Sequence, residues 1–374
     1  MANGHSLCGQ VVSARGATAA VLLICLLGCQ SGDEATAQGV ETVKTGPLRW
    51  FQRKWRSMAK YDWFASNSAP SGCPMELVDG DFIFPNQGSL YIPHKTLHYG
   101  WGKEISIHVV GPDTKSLPDR MNITFYSYLE DKFYQGSFRL PHARIADLFA
   151  EGFTYYPPKG TPERVTYNAI VAGVAPGGAV AVWVSGLTKQ VEVFFGYAPE
   201  VKLDYRTIMR LPADIDAGED KLEVVAEVAS RDPLVQEMQK ALPLGLWAAY
   251  RTRYLWQPVF EGLDPPKRFS RVIYLNGERE YLELPLDAAA QRTARAVPRY
   301  IECSGFETGR YRAFRVSFDE AEALAAFPRV GRGDTPIELV FRDGSEWDDS
   351  LVFVRNARES VRLEHVKIEK FARQ

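Results

Sequence analysis

The sequence predicts an α+β protein dominated by antiparallel sheet, with short helices and no long parallel βαβ run. Three observations carry that reading. Apolar and aromatic strand-like runs recur, joined by turn chemistry; an Asn276-Gly277 pair sits between two such runs; and the helical stretches are short and begin at Pro or Asp. A pair of similar hairpin units further suggests two related halves.

Taken in order, Ser31 to Gly46 is small and polar without periodicity, which suits a flexible tether. Order should begin near Trp50-Phe51, where aromatics become dense; these are read as core packing or as an exposed binding platform. Ile105 to Val109 alternates as a strand does. Met121 to Leu129 and Phe133 to Leu140 flank the turn Glu130-Asp131-Lys132. Pro141 then opens a helix with Ile145, Leu148 and Phe149 on one face, and Gly152 ends it. Val165 to Val174, Ala179 to Val184 and Val191 to Tyr197 form a meander around Ala175-Pro176-Gly177-Gly178. Asp232-Pro233 caps a helix bearing Leu234, Met238 and Leu242. Arg271 to Leu275 and Glu278 to Leu284 form a hairpin about Asn276-Gly277, followed by Leu284-Pro285 and a helix over Asp287 to Arg295. The likeness of this unit to the hairpin and Leu-Pro-helix before it is what suggests duplication. A strand from Tyr311 to Phe318, a helix capped by Asp319 and a hairpin at Arg342-Asp343-Gly344 complete the chain.

The hydrophobic share of 45% and charged share of 24% are those of a globular protein, and a net charge of −2 gives no basic half for nucleic acid. An apolar run from Val21 to Leu27 is too short to span a bilayer, which takes about 20 residues. It leads into Leu26-Leu27-Gly28-Cys29, which resembles the lipobox of bacterial lipoproteins. That resemblance implies a signal peptide over 1–28, lipidation of Cys29 and, because Gln30 follows it, anchoring to the periplasmic side of the outer membrane. The domain reading is then a tether over 29–47, a β-rich N-terminal domain over 48–230 and an α+β C-terminal domain over 231–374. Cys73 and Cys303 are the cysteines left over, an even pair in an oxidising compartment. They are read as a disulfide or as two separately buried thiols.

The segments "SLPDRMNITFYSYLEDKFYQGSFRLPHARIADLF", "VAGVAPGGAVAVWVSG", "RYLWQPVF" and "VIYLNGERE" resemble the bacterial lipoproteins of domain-of-unknown-function family 2931. The resemblance runs from about Trp50 to Leu286. Its motifs are turns and helix starts, so it speaks to fold and compartment. It implies a role as a periplasmic immunity protein beside type VI secretion lipase effectors.

Catalytic signatures are sparse. His94 and His98 have the spacing of helical metal ligands, but Pro93 and Tyr99-Gly100-Trp101-Gly102 argue against a helix there. Ser185-Gly186 does not complete a nucleophile elbow. Asp214, Asp216, Glu219 and Asp220 are read as an acidic loop without the order of a calcium site, and Glu346, Asp348 and Asp349 likewise. Arg332-Gly333-Asp334 carries no more than chance. The expectation is therefore a protein that is not an enzyme and has neither cofactor nor metal. It would bind a secreted, lipase-like effector through exposed members of Tyr155, Tyr156, Arg253, Tyr254 and Trp256. The alternative is an envelope enzyme or a glycan- or peptidoglycan-binding lipoprotein.

Overall fold

The two central strands, Ala169–Ala175 and Ala179–Ser185, are built from Ala, Val, Ile, Gly, one Trp and a closing Ser, and every residue of both is buried. Such unbroken apolar runs suit strands covered on both faces. The computed structural model describes residues 59–106, 110–157, 161–261, 269–307, 310–332, 335–342 and 351–372, which belong to one compact unit, Gly46–Gln374. Cys29 with its signal and tether, Trp50-Phe51, the Asp343-Gly344 turn, Gly333-Asp334 and the acidic group at 346–349 lie outside the described residues.

The chain makes the same arrangement twice. In the first half, Phe64–Ser68 pairs in parallel with Ala169–Ala175, which continues antiparallel to Ala179–Ser185 and Gln190–Tyr197. A second sheet runs Glu200–Val201, Lys132–Arg139, Arg120–Ser127, Met75–Ile83 and Ser89–Tyr91. In the second half, Arg253–Glu261 pairs in parallel with Ile337–Arg342, which continues antiparallel to Leu351–Arg355 and Ser360–Leu363. Its companion sheet runs Val366–Ala372, Arg310–Phe318, Pro298–Glu307, Phe269–Tyr274 and Arg279–Glu283. Order and direction correspond strand for strand.

The middle of the two copies even keeps one spacing. Arg120–Ser127, Lys132–Arg139 and the helix His142–Glu151 have counterparts in Pro298–Glu307, Arg310–Phe318 and the helix Glu320–Val330, each starting 178 residues later. Phe149 and Phe327 sit at the same offset, and both are buried. The duplication suggested by the sequence is therefore present in the topology, but its partners differ from those proposed. The hairpin over Phe269–Tyr274 and Arg279–Glu283 answers to Met75–Ile83 and Ser89–Tyr91, not to the hairpin before Pro141. Asp287 caps only one turn, Ala288–Gln291, and Ala294–Ala296 is a strand instead of the end of a longer helix.

Each half closes on its own apolar layer. Ile170, Ala172, Val174, Val180, Val182 and Val184 share a core with Leu77, Phe82, Ile123 and Phe125 of the facing sheet and with Ile145 and Phe149 of the helix. The second core joins Val272, Ile301 and Val316 to Trp256, Leu339 and Val354 and to Phe327. The opposite face of the central strands, with Val171, Ala181 and Trp183, belongs to that second core through Trp101 and Trp247. Trp101 lies edge-on to Trp183 with centroids 5.0 Å apart. At roughly 25 cal/mol per Å² of apolar surface, such aromatic burial contributes to the adhesion of the halves.

Between the halves lie helices the sequence reading only partly anticipated. The longest, Ala217–Arg231, begins where an acidic loop was expected. Asp216 accepts hydrogen bonds from Gly218 N and Glu219 N, and Glu219 and Asp220 stand in the first turn, where the helix dipole favours negative charge. Leu234–Lys240 follows Asp232-Pro233, but it stops before Leu242, which was expected on its face, and its N-cap residue is Pro233, which makes no side-chain cap. Three other expectations need correction. Ile105 and Ser106 are irregular, with the remainder of that run outside the described residues; the expected strand from Val165 is two, Glu163–Val165 and Ala169–Ala175; and the cysteines are not bridged.

Both thiols are free and buried, in different surroundings. Cys73 follows the turn at Gly72, near Glu130 and Asp232, and Cys303 lies mid-strand sharing a 3.2 Å hydrogen bond with Ser270 Oγ. Burial pushes both up to about 12, so neither ionises readily.

Candidate functional site

The two halves fuse into a nine-stranded sheet through a narrow contact: Gln190–Tyr197 meets Arg279–Glu283 at the single pair Gln190↔Arg279. At that point Gln190 Nε2 donates to Gly102 O and to Gly277 O, both at 2.6 Å, and Trp183 Nε1 donates to Asn276 O at 3.0 Å. The Asn-Gly turn thus does more than reverse the chain. Gly102 (φ +75°) and Gly277 (φ +85°) face each other so closely that a Cβ on Gly277 would lie 2.8 Å from Gly102 Cα. Only glycine combines that backbone angle with that approach.

Past this pair the strands part and leave a cleft of about 430 Å³. A β-bulge shapes one wall. Val182 pairs with Phe194 and Trp183 with Glu192, leaving Val193 as the extra residue. In a regular strand, residues three apart face opposite sides. Here Glu192 and Phe195 meet the same side chain: Arg251 Nη2 lies 2.7 Å from Glu192 Oε2, and its guanidinium carbon lies 3.3 Å from the Phe195 ring centroid.

The cleft is a lattice of arginine–glutamate pairs. Besides Arg251–Glu192, Arg253 pairs with Glu278 at 2.6 Å, Arg279 with Glu104 at 2.8 Å and Arg295 with Glu280 at 3.0 Å. Glu278 also accepts the Glu192 backbone N–H at 3.1 Å. Burial, opposed by Arg251 and reinforced by Glu278, carries Glu192 from its ordinary 4.5 to about 7. The same burial lowers Arg251, so desolvation outweighs mutual attraction in this pair. The lining holds two further cations, Arg144 on the first half's helix and Lys189 at the start of the bulged strand. Neither has an ion-pair partner among the described residues.

Of the side chains expected to meet a partner, only Arg253 lines this cleft, with 40% of its side chain exposed. Trp256 is 1% exposed and donates Nε1 to Ala296 O, so it is core and offers no contact surface. Tyr254 is half-buried against Phe327 at 5.7 Å. Tyr155 and Tyr156 are half-buried, and Tyr156 donates to Glu283 Oε2 at 2.9 Å. His94 and His98 flank a short strand, Lys95–Leu97. His94 lies 3.9 Å from Asp79 Oδ1, whereas burial keeps His98 below its ordinary value. The cleft itself was missed. Its signal lay in dense Arg and Glu patterns: Arg251-Thr-Arg253, of which only Arg253 was expected to meet a partner, and Glu278-Arg279-Glu280, which was expected only as part of a hairpin.

The fold and the cleft together define an α+β protein of two topologically equal halves with a charged recess at their junction. The chain belongs to the family described as protein of unknown function (DUF2931), whose model matches residues 43–237. The match spans the first half and runs into the helix Leu234–Lys240, leaving the second copy outside it. No curated protein and no solved structure matches the chain.

Proposed function

We propose that this chain is a non-catalytic binding lipoprotein, held by lipid on Cys29 at the periplasmic side of the outer membrane, that neutralises a secreted lipase-like effector of the type VI kind. The single observation that carries the binding reading is the state of the cleft's carboxylates: Glu192, Glu278 and Glu280 are each held by an arginine. Groups so committed are suited to holding a shape and a charge pattern. A general acid or base has to exchange its proton with a substrate. Arginine and aromatic side chains on a stiff scaffold are also the residue types that anchor protein interfaces. The effector and the compartment come from the family resemblance and the Leu-Leu-Gly-Cys motif.

Glu192 supports a second reading, that of an envelope hydrolase, because a buried glutamate carried to about 7 could donate a proton. The ion pair with Arg251 and the lining, which contains no histidine, cysteine or serine among the described residues, favour binding.

The test is a competition between a parent strain and one lacking this gene together with any adjacent lipase-like effector gene. Loss of the deletion strain in mixed culture, reversed by the intact gene, is expected. Full survival against an attacker shown to deliver active effector would overturn the proposal.

A further inference from the structure

We infer that the cleft at the junction of the two halves is an anion-recognition site that receives carboxylate side chains from an acidic segment of a protein partner. The inference rests on the reading of this chain as a protein-binding one and names the chemistry of that contact. It starts from charge. Four cleft arginines are matched by four glutamates, namely 251 with 192, 253 with 278, 279 with 104 and 295 with 280. Arg144 and Lys189 remain on the lining without such a partner among the described residues, so the recess carries an excess of positive charge.

The donors point to the same conclusion. Arg251 Nε and Arg279 Nε are buried N–H groups with no hydrogen-bond partner among the described residues, although their other nitrogens are engaged. A buried unpaired donor on a guanidinium leaves part of its positive charge uncompensated, so both groups add to the positive field that an entering anion meets. Both groups belong to the second half's side of the seam, whereas Arg144 and Lys189 face them from the first half's side. Arg251 lies just before the strand Arg253–Glu261, and Arg279 opens the strand that meets Gln190. An anion entering here would be gripped across the junction.

The site is also built to stay as it is. Arg295 is only 4% exposed and donates to Glu280, Ala290 O and Thr293 O, which fixes one wall. Phe195 beneath Arg251 fixes another. A preformed recess avoids the ordering cost that a flexible basic loop would have to meet on binding. Its volume of about 430 Å³ admits one or two acidic side chains and no folded element.

The full chain, purified in detergent, is titrated with an oligoglutamate peptide, an oligoglutamine peptide of equal length and inorganic phosphate. Oligoglutamate should bind and oligoglutamine should not. Affinity should fall steeply as salt rises, because the contact is between charges at a partly open site. Arg144→Glu with Lys189→Glu, both on the rim, should weaken oligoglutamate by at least about tenfold while leaving the unfolding midpoint near that of wild type. Equal binding of the two peptides, or no loss in the double variant, would overturn the inference. So would binding of phosphate alone, which would make this a small-anion site. The strain competition separates this inference from the function on which it rests. If the double variant protects as well as wild type, the cleft is not the contact and the inference falls, while the immunity reading stands. If oligoglutamate binds as expected but deletion costs no protection, the cleft chemistry stands and the immunity reading falls.

Discussion

Replacing Gln190 tests whether one buried amide holds the two halves in register. Its Nε2 is the donor to both Gly102 O and Gly277 O, and all three residues are buried. In Gln190→Met the volume is kept and both carbonyls lose their donor, at about 1–3 kcal/mol each. Against this, Gln190 Oε1 has no partner among the described residues, and its removal returns about one such amount. The net loss should be about 1–3 kcal/mol. Gln190→Ala adds a cavity and should cost about 1–2 kcal/mol more. Gly277→Ala should be worst, because it places a Cβ at φ +85° and within 2.8 Å of Gly102 Cα. Urea unfolding followed by tryptophan fluorescence reads this order, with Trp101 and Trp183 beside the contact. A Gln190→Met protein as stable as wild type would show that the junction is held by apolar packing alone.

Two further outcomes can be checked on the same protein. Glu192 has its folded value raised from 4.5 to about 7, so between those pH values the folded chain binds more protons than the unfolded chain. Its contribution to stability is therefore complete below about 4.5 and is lost as pH rises to about 7, by up to about 3 kcal/mol. The difference in unfolding free energy between wild type and Glu192→Gln should slope accordingly, and a flat difference would refute the assignment. Cys73 and Cys303, pushed up to about 12 by burial, should resist alkylation at pH 8 until the chain is unfolded. Peptide mapping that finds the two linked would refute the free-thiol structure.

What the sequence revealed follows from the range of the forces involved. The strands Ala169–Ala175 and Ala179–Ser185 were legible because burial on both faces leaves an unbroken apolar run, and Pro176-Gly177-Gly178 marks their corner. The helix starts at Pro141, Asp232-Pro233 and Asp319 were legible because their signals are local: proline presets the backbone angle of a helix start, and Asp319 accepts a hydrogen bond from Glu322 N. The helix Ala217–Arg231 was missed although Asp216-Ala-Gly-Glu219 has the spacing of a capping sequence. Gly218 in the first turn and a buried face reduced to Val225 and Val228 weakened the periodic signal. The cleft left only a density of Arg and Glu in the sequence, and its pairing could not be seen there. Arg251 and Glu192 are 59 positions apart, and Arg279 and Glu104 are 175 apart, so their pairing exists only in the folded chain.

The duplication explains where that cleft falls. Each copy has two sheets, and a sheet edge exposes unpaired backbone groups that a folded chain must cover or pair. Gln190–Tyr197 ends one sheet of the first copy, and Arg279–Glu283 ends the opposite sheet of the second. Joining them pairs the two edges where they meet, but sheets with different neighbours and twist can stay in register only briefly. Here they do so for one residue pair, and the bulge at Val193 then turns the first strand away. The strand ends beyond that pair cannot hydrogen-bond to each other. Side chains fill the gap instead, and long charged ones can bridge it in matched pairs. A recess of this kind follows from fusing two copies at their edges. The unmatched Arg144 and Lys189 are what the fusion does not require, and the proposed recognition of an acidic partner therefore rests on them.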